Sequence, residues 1–200
     1  MGMKSDSSNT LRSVLASARA CNVCAPFLPL GPRPVLQVAS QARILIVGQA
    51  PGAKVHDTGV PWNDASGKRL REWLGVTPEV FYDARHFALI PMGFCYPGRG
   101  KSGDNPPRPE CAPLWMDKLL AYLRRVELTL LIGQYAQAHF LGGTRKATLT
   151  ETVAAWREYE PAARIPLPHP SPRNQIWLKR NAWFEAQTVP ALRARVAALL

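Results

Sequence analysis

Four short runs, apolar but for Thr129, punctuate the chain: Ile44–Val47, Phe87–Ile90, Leu128–Ile132 and Ile165–Leu167. A strand with one face in water alternates apolar and polar positions, so continuous runs this short predict strands covered on both faces. Helical spacing lies between them. Leu11–Ala20 places Leu11, Val14, Leu15 and Ala18 on one face. Lys68–Leu74 predicts a short helix with Ser66 or Asp64 as N-cap, and Leu114–Val126 a longer one built on Leu119, Leu120 and Leu123. Gln134–Leu141 and Glu151–Tyr159 follow, and Pro190–Leu200 carries a proline where a first helical turn accepts one. Strands alternating with helices predict an α/β fold: a three-layer α/β/α sandwich around a central, mostly parallel four-stranded sheet.

Met1 to Thr10 is polar and predicts a disordered lead, and residues 11–200 predict a single domain. A proline-rich connector runs from Pro26 to Pro34. Met92 to Glu110 departs from both periodicities. Its Pro97, Pro106, Pro107, Pro109, Gly98, Gly100 and Gly103 predict neither strand nor helix. A structureless loop of that length inside a compact domain is usually functional or disordered.

Charge narrows the function. Twenty-five Lys and Arg against fourteen Asp and Glu give a formal +11, a field that favours a polyanion such as nucleic acid. No stretch approaches the roughly 20 apolar residues of a membrane span, and the first ten residues lack the apolar core of a secretory signal. The expectation is a cytoplasmic protein without membrane contact, in which four cysteines are not structural disulfides.

Those cysteines form two pairs, Cys21 with Cys24 and Cys95 with Cys111. Four thiolates from distant segments can converge on one metal centre. The first pair ends a helix and enters the proline-rich connector, unlike a thioredoxin-type redox pair at a βα turn. Zinc ribbons use two narrow knuckles, whereas a [4Fe–4S] cluster accepts four thiolates at variable spacing. Cluster, zinc and unligated thiols all remain open on spacing alone.

The chemistry concentrates where two strands end. Gly48-Gln49-Ala50-Pro51-Gly52 follows the first apolar run, and His169-Pro170-Ser171-Pro172-Arg173-Asn174 follows the last. In an open parallel sheet, ligands bind outside the carboxyl ends of the strands. The pair resembles the two active-site motifs of the uracil-DNA glycosylase superfamily. Gly48–Gly52 is similar to the iron–sulfur family 4 form, which has Glu where this chain has Gln49. Thr58-Gly59-Val60-Pro61-Trp62, His169–Asn174 and the later Asn181 and Trp183 look more like the single-strand-selective monofunctional glycosylases. The cysteine order and spacing resemble family 4.

The resemblance implies a monomeric, nucleoid-associated base-excision enzyme that flips a damaged base, uracil as first guess, out of DNA and hydrolyses its glycosidic bond. By the same resemblance, His169 stabilises the departing base, with Gln49 and Ala50 beside it and Trp62 stacking on it. Gln49, Asp57 or Asp64 handles the water. Pro51 and Gly52 meet a phosphate, and Pro170, Ser171, Pro172, Arg173 and Asn174 form the wedge. Arg99, Lys101 and Arg108 meet phosphates, and Cys21, Cys24, Cys95 and Cys111 bind a [4Fe–4S] cluster, with zinc as alternative. Pro91 occupies the place of the family 4 Asn that reads the base edge. Two other expectations stand: a non-catalytic or covalently trapping lesion binder of the same fold, and a nucleotide-binding α/β protein whose Gly48–Gly52 turn cradles a phosphate.

Overall fold

A computed structural model describes residues 10–101 and 103–200. Helix α1 (Leu11–Arg19) opens with a reciprocal cap in which Thr10 and Ser13 each satisfy the other's backbone N–H. Thr10 therefore belongs to the helix, while residues 1–9 of the expected lead lie outside the described residues. Next come β1 (Ile44–Val47), α2 (Ala53–Thr58), α3 (Ala65–Leu74), α4 (Pro78–Phe81) and β2 (Phe87–Leu89). The Met92–Glu110 segment is not structureless: β3 (Arg99–Gly100) and β4 (Gly103–Asp104) pair as a small antiparallel hairpin. Then follow α5 (Cys111–Leu120), β5 (Leu128–Ile132), α6 (Gly133–Leu141), α7 (Leu149–Ala154), α8 (Trp156–Tyr159), β6 (Arg164–Leu167), α9 (Gln175–Arg180) and α10 (Val189–Ala197).

The main sheet runs β2-β1-β5-β6, and every pairing is parallel. Alternate residues of β1 go to opposite sides, as a period of two requires. Leu45 and Val47 pack into one core with α1, α5 and α6, while Ile44 and Ile46 pack into the other with α3, α9 and α10. Ile44 and Ile46 are both fully buried, and truncating such a residue to Ala costs about 2–5 kcal/mol. This is the α/β/α architecture expected, with an all-parallel sheet.

Three element boundaries differ from expectation for local reasons. The Glu151–Tyr159 helix breaks at Ala155 into α7 and α8. Helix α5 begins at Cys111 rather than Leu114, because Pro113 falls in its first turn, where a proline is tolerated. Helix α3 begins at Ala65, and Asp64 is its N-cap through a 2.8 Å bond from the Gly67 N–H.

The outer edge of β2 is covered by the segment that follows the proline-rich connector, at Gln37. Gln37 and Leu89 exchange backbone hydrogen bonds of 3.0 and 2.8 Å, and Gln37 Nε2 donates to the Phe87 carbonyl. At the opposite edge, β6 includes Pro166, which supplies no ladder donor.

Candidate active site

Strand order reverses beside β1: β2 lies on one side, and the chain returns to the other for β5 and β6. A cavity of about 410 Å³ opens at the carboxyl ends of these strands. Gly48–Gly52 leaves β1, and His169–Asn174 follows β6. Both loops are held tightly. The Met92 and Gly93 N–H groups donate to the Gly48 and Gln49 carbonyls, each at 2.9 Å. The fully buried Gln137 of α6 donates through Nε2 to the Leu131 and Leu167 carbonyls, tying the ends of β5 and β6 together.

His169 is locked in one protonation form by its own loop. The Ser171 N–H donates to His169 Nδ1 at 3.2 Å, so Nδ1 must be the unprotonated nitrogen and Nε2 carries the hydrogen. Burial pushes the pKa of His169 below the usual 6.5, against an upward pull from the charges of Asp64 and Asp104. A neutral imidazole that donates through Nε2 results. Asn174 Nδ2 closes the loop onto the His169 carbonyl at 2.7 Å, and Arg69 reaches the Ser171 carbonyl at 3.2 Å.

Trp62 lies beside this imidazole, with ring centroids 5.8 Å apart. Its φ of +57° is a left-handed conformation, which costs a bulky residue on the order of 1–3 kcal/mol unless its surroundings impose it. Two glycines make room. A Cβ on Gly48 would come within 2.8 Å of the indole, and one on Gly67 within 1.7 Å of the Trp62 carbonyl oxygen. Trp62 therefore forms part of the cavity wall, and its backbone, Gly48 and Gly67 form one interlocked unit.

The cavity gathers Gln49, Ala50, Pro51, Gly52, Trp62, Asp64, His169, Ser171, Pro172 and Arg173 from the sequence-derived candidates. Several of these have other engagements. Pro51 and Pro170 are buried, and Asn174 closes its own loop; only Pro172 and Arg173 form an exposed tip, followed by Ile176 at 65% exposure. Asp57 is exposed and outside the cavity lining, with its carbonyl accepting from Arg33 Nη1 at 2.9 Å. Arg99 and Lys101 are exposed on the hairpin. Arg108 is not free to meet a phosphate as it stands: it pairs with Glu110 at 2.6 Å and covers the Phe27 ring at 4.1 Å. Asn181 and Trp183 brace α9, through Asn181 to the Trp177 carbonyl and Trp183 Nε1 to Asn181.

Sequence reasoning missed Lys54 of the cavity lining and two further polar groups. Ser66 is buried in its wall, and its hydroxyl has no hydrogen-bond partner among the described residues. Asp104 closes the hairpin at the rim, with Oδ2 3.5 Å from where a Cβ on Gly52 would stand. That carboxylate occupies the place the sequence reserved for a phosphate. Neither residue belongs to a recognisable motif; only the turn-forming Gly103-Asp104-Asn105-Pro106 run hinted at an ordered loop.

All four cysteines are free thiols and line a second, smaller cavity with apolar neighbours such as Phe94, Leu114 and Trp115. They come from the end of α1, the following turn, the loop after β2 and the first turn of α5. Burial pushes Cys95 up to about 11 and Cys111 up to about 12, and raises Cys24, where Glu110 adds to the effect. As thiolates they would need a positive partner. Among the described residues, no group of three or more His, Cys, Asp or Glu is drawn close enough to hold a single metal ion. No described helix is long and apolar enough to cross a membrane. The family model of the Uracil DNA glycosylase superfamily matches residues 36–193, well over half of the chain.

Proposed function

The chain belongs to the uracil DNA glycosylase superfamily, and from that premise we propose that it is a monofunctional DNA base-excision enzyme that takes uracil as its first substrate. The observation that carries this reading is His169, held neutral by Ser171, with its Nε2–H available beside Trp62 in a cavity deep enough for a base. Flipping a nucleotide out of the stack costs a few kcal/mol, which the cavity contacts must offset. As the glycosidic bond breaks, negative charge grows on the base, and a fixed donor in a dry site stabilises it by several kcal/mol. Trp62 stacks on the extruded ring. Neither the Gln49 nor the Ala50 N–H donates to another described residue, so both are available to the same oxygen. Pro172 and Arg173, at the exposed tip, enter the gap left in the duplex, while Arg99 and Lys101 add sequence-independent phosphate contacts.

The thiol cavity fits a [4Fe–4S] group in its donor set: four cysteines, no histidine or aspartate, and one carboxylate, Glu110, that is paired with Arg108 at 2.6 Å. Cys21, Cys24, Cys95 and Cys111 would hold it, and it would supply a structural tie between α1 and the hairpin segment. Anaerobically purified protein is then expected to be brown, with broad absorbance near roughly 400 nm and one cluster's iron and sulfide per chain. Stoichiometric zinc, or iron and sulfide absent after reconstitution, would refute the assignment.

One observation favours a second reading, a lesion binder without turnover: Gln49 is not an acid, and its amide is engaged with Asn105. An oligonucleotide panel carrying uracil, hypoxanthine, xanthine or oxidised pyrimidines, single- and double-stranded, separates the two. Release of free base is expected from the uracil substrate. Tight binding to all without release would replace the enzyme by the binder.

A further inference from the structure

We propose that the carboxylate absent from position 49 is supplied by Asp104, at the end of the β3–β4 hairpin, and that Asp104 takes the proton of the attacking water. The proposal rests on the glycosylase reading above and deepens it. Gln49 itself points to the hairpin: its Nε2 donates to the Asn105 carbonyl at 3.0 Å, so the side chain that occupies the acid's usual place reaches the residue next to Asp104. On the other side, the Arg173 guanidinium approaches within 3.1 Å of where a Cβ on Gly103 would stand. The hairpin thus spans the two reaction loops and delivers Asp104 to the cavity that also holds His169. The negative charges of Asp64 and Asp104 are both felt at the imidazole, that of Asp64 the more strongly.

The rival carboxylates are less well placed. Asp64 has Oδ1 engaged by the Gly67 N–H as the cap of α3, and Asp57 does not line the cavity. The Asp104 carboxylate makes no ion pair or hydrogen bond among the described residues, although it belongs to a chain of formal charge +11. In a cleft that faces a polyanion, an unpaired carboxylate opposes binding unless its charge serves the reaction. Here it has two uses: it favours the positive sugar that develops as the bond breaks, and it accepts a proton. The water oxygen bonds to the sugar C1′ while the C1′–N bond breaks. The electron pair leaves on the base, where His169 Nε2–H meets it, and the water proton passes to Asp104.

Single-turnover base release from the substrate found by the panel tests this. Asp104→Asn is expected to lose on the order of 10²–10⁴-fold in rate, the range for a positioned base, and Asp64→Asn less. Thermal unfolding should stay at the wild-type value in Asp104→Asn and affinity for abasic DNA should hold or rise, since a negative charge facing the polyanion is removed; a folding defect would lower both. The decisive variant is the double Gln49→Glu/Asp104→Asn, which returns an acid to position 49 and should recover most of the lost rate. Wild-type rates in Asp104→Asn, or a double variant no faster than the single one, overturn the proposal while leaving the glycosylase reading intact. A wild type that binds every oligonucleotide and releases nothing overturns both.

Discussion

The reaction cavity and the thiol cavity are built on opposite principles, although the segment from Met92 to Cys111 contributes to both. The first is wide and lined by polar groups held at fixed angles by backbone: the Ser171 N–H on His169, the glycines around Trp62, the hairpin against Gln49. The second is small and mostly apolar apart from its four sulfurs and the Arg108–Glu110 pair, and burial works against the ionisation of Cys24, Cys95 and Cys111. One is organised by backbone contacts throughout. In the other, Cys111 Sγ accepts from the Phe94 N–H at 3.3 Å and the Cys24 thiol donates to Glu110 at 3.8 Å. On the proposed reading, chemistry and stapling are separated within one 20-residue stretch, with cysteines near its two ends and a carboxylate near its tip.

Beside the Asp104 variants, the largest expected effect breaks the first region alone. His169→Ala should lower single-turnover cleavage by about 10²-fold or more, the scale for one donor to a developing anion, with little change in affinity for abasic DNA. Unchanged cleavage would make His169 a structural residue. Next comes the geometry behind it: Gly67→Ala forces a Cβ into the Trp62 carbonyl and should destabilise the fold by about 1–3 kcal/mol. Denaturant unfolding measures that loss, and a neutral result would mean that Trp62 can leave its left-handed conformation freely.

Breaking the second region should be milder for the body of the fold. Cys95→Ser is expected to lose the iron and to speed proteolysis within residues 99–104, with the core's unfolding midpoint less affected than in Gly67→Ala. Equal protease resistance with and without iron would remove the stapling role. The smallest effect is a pH signature. Because burial holds the folded pKa of His169 below the unfolded 6.5, the unfolded chain takes up that proton first as pH falls. Wild-type stability relative to His169→Gln should therefore be highest above about pH 6.5 and decline below it, as paired unfolding curves would show.

Strands β1 and β5 could be read to the residue because nearly continuous apolar runs leave few alternatives. Helix α2 could not: six residues reading Ala-Lys-Val-His-Asp-Thr are too short for periodicity, and the helix exists because the Gly48–Gly52 turn launches it. The hairpin was hidden for a different reason. Its glycines and prolines, which normally forbid a strand, here allow the tight approach of Gly100 and Gly103. The loops at the strand ends were legible as motifs, and His169, Trp62 and Gln49 do share one cavity. The positions of Asp57, Pro51, Pro170 and Arg108 depend on burial and on partners distant in sequence, which no motif encodes. Asp104 and Ser66 were missed for the same reason: each reaches the cavity through tertiary packing.

The Gln37 clasp on β2 has a consequence for how the protein behaves among its own copies. An open sheet edge is a template, and any extended strand that meets it can be captured by backbone bonds alone. By clasping that edge with its own Gln37, the chain obstructs the most direct route to sheet-to-sheet stacking and fibrous growth. A protein concentrated along a polymer by long-range charge is under more pressure to do this than one free in dilute solution. Crowding on a shared scaffold then need not become self-adhesion.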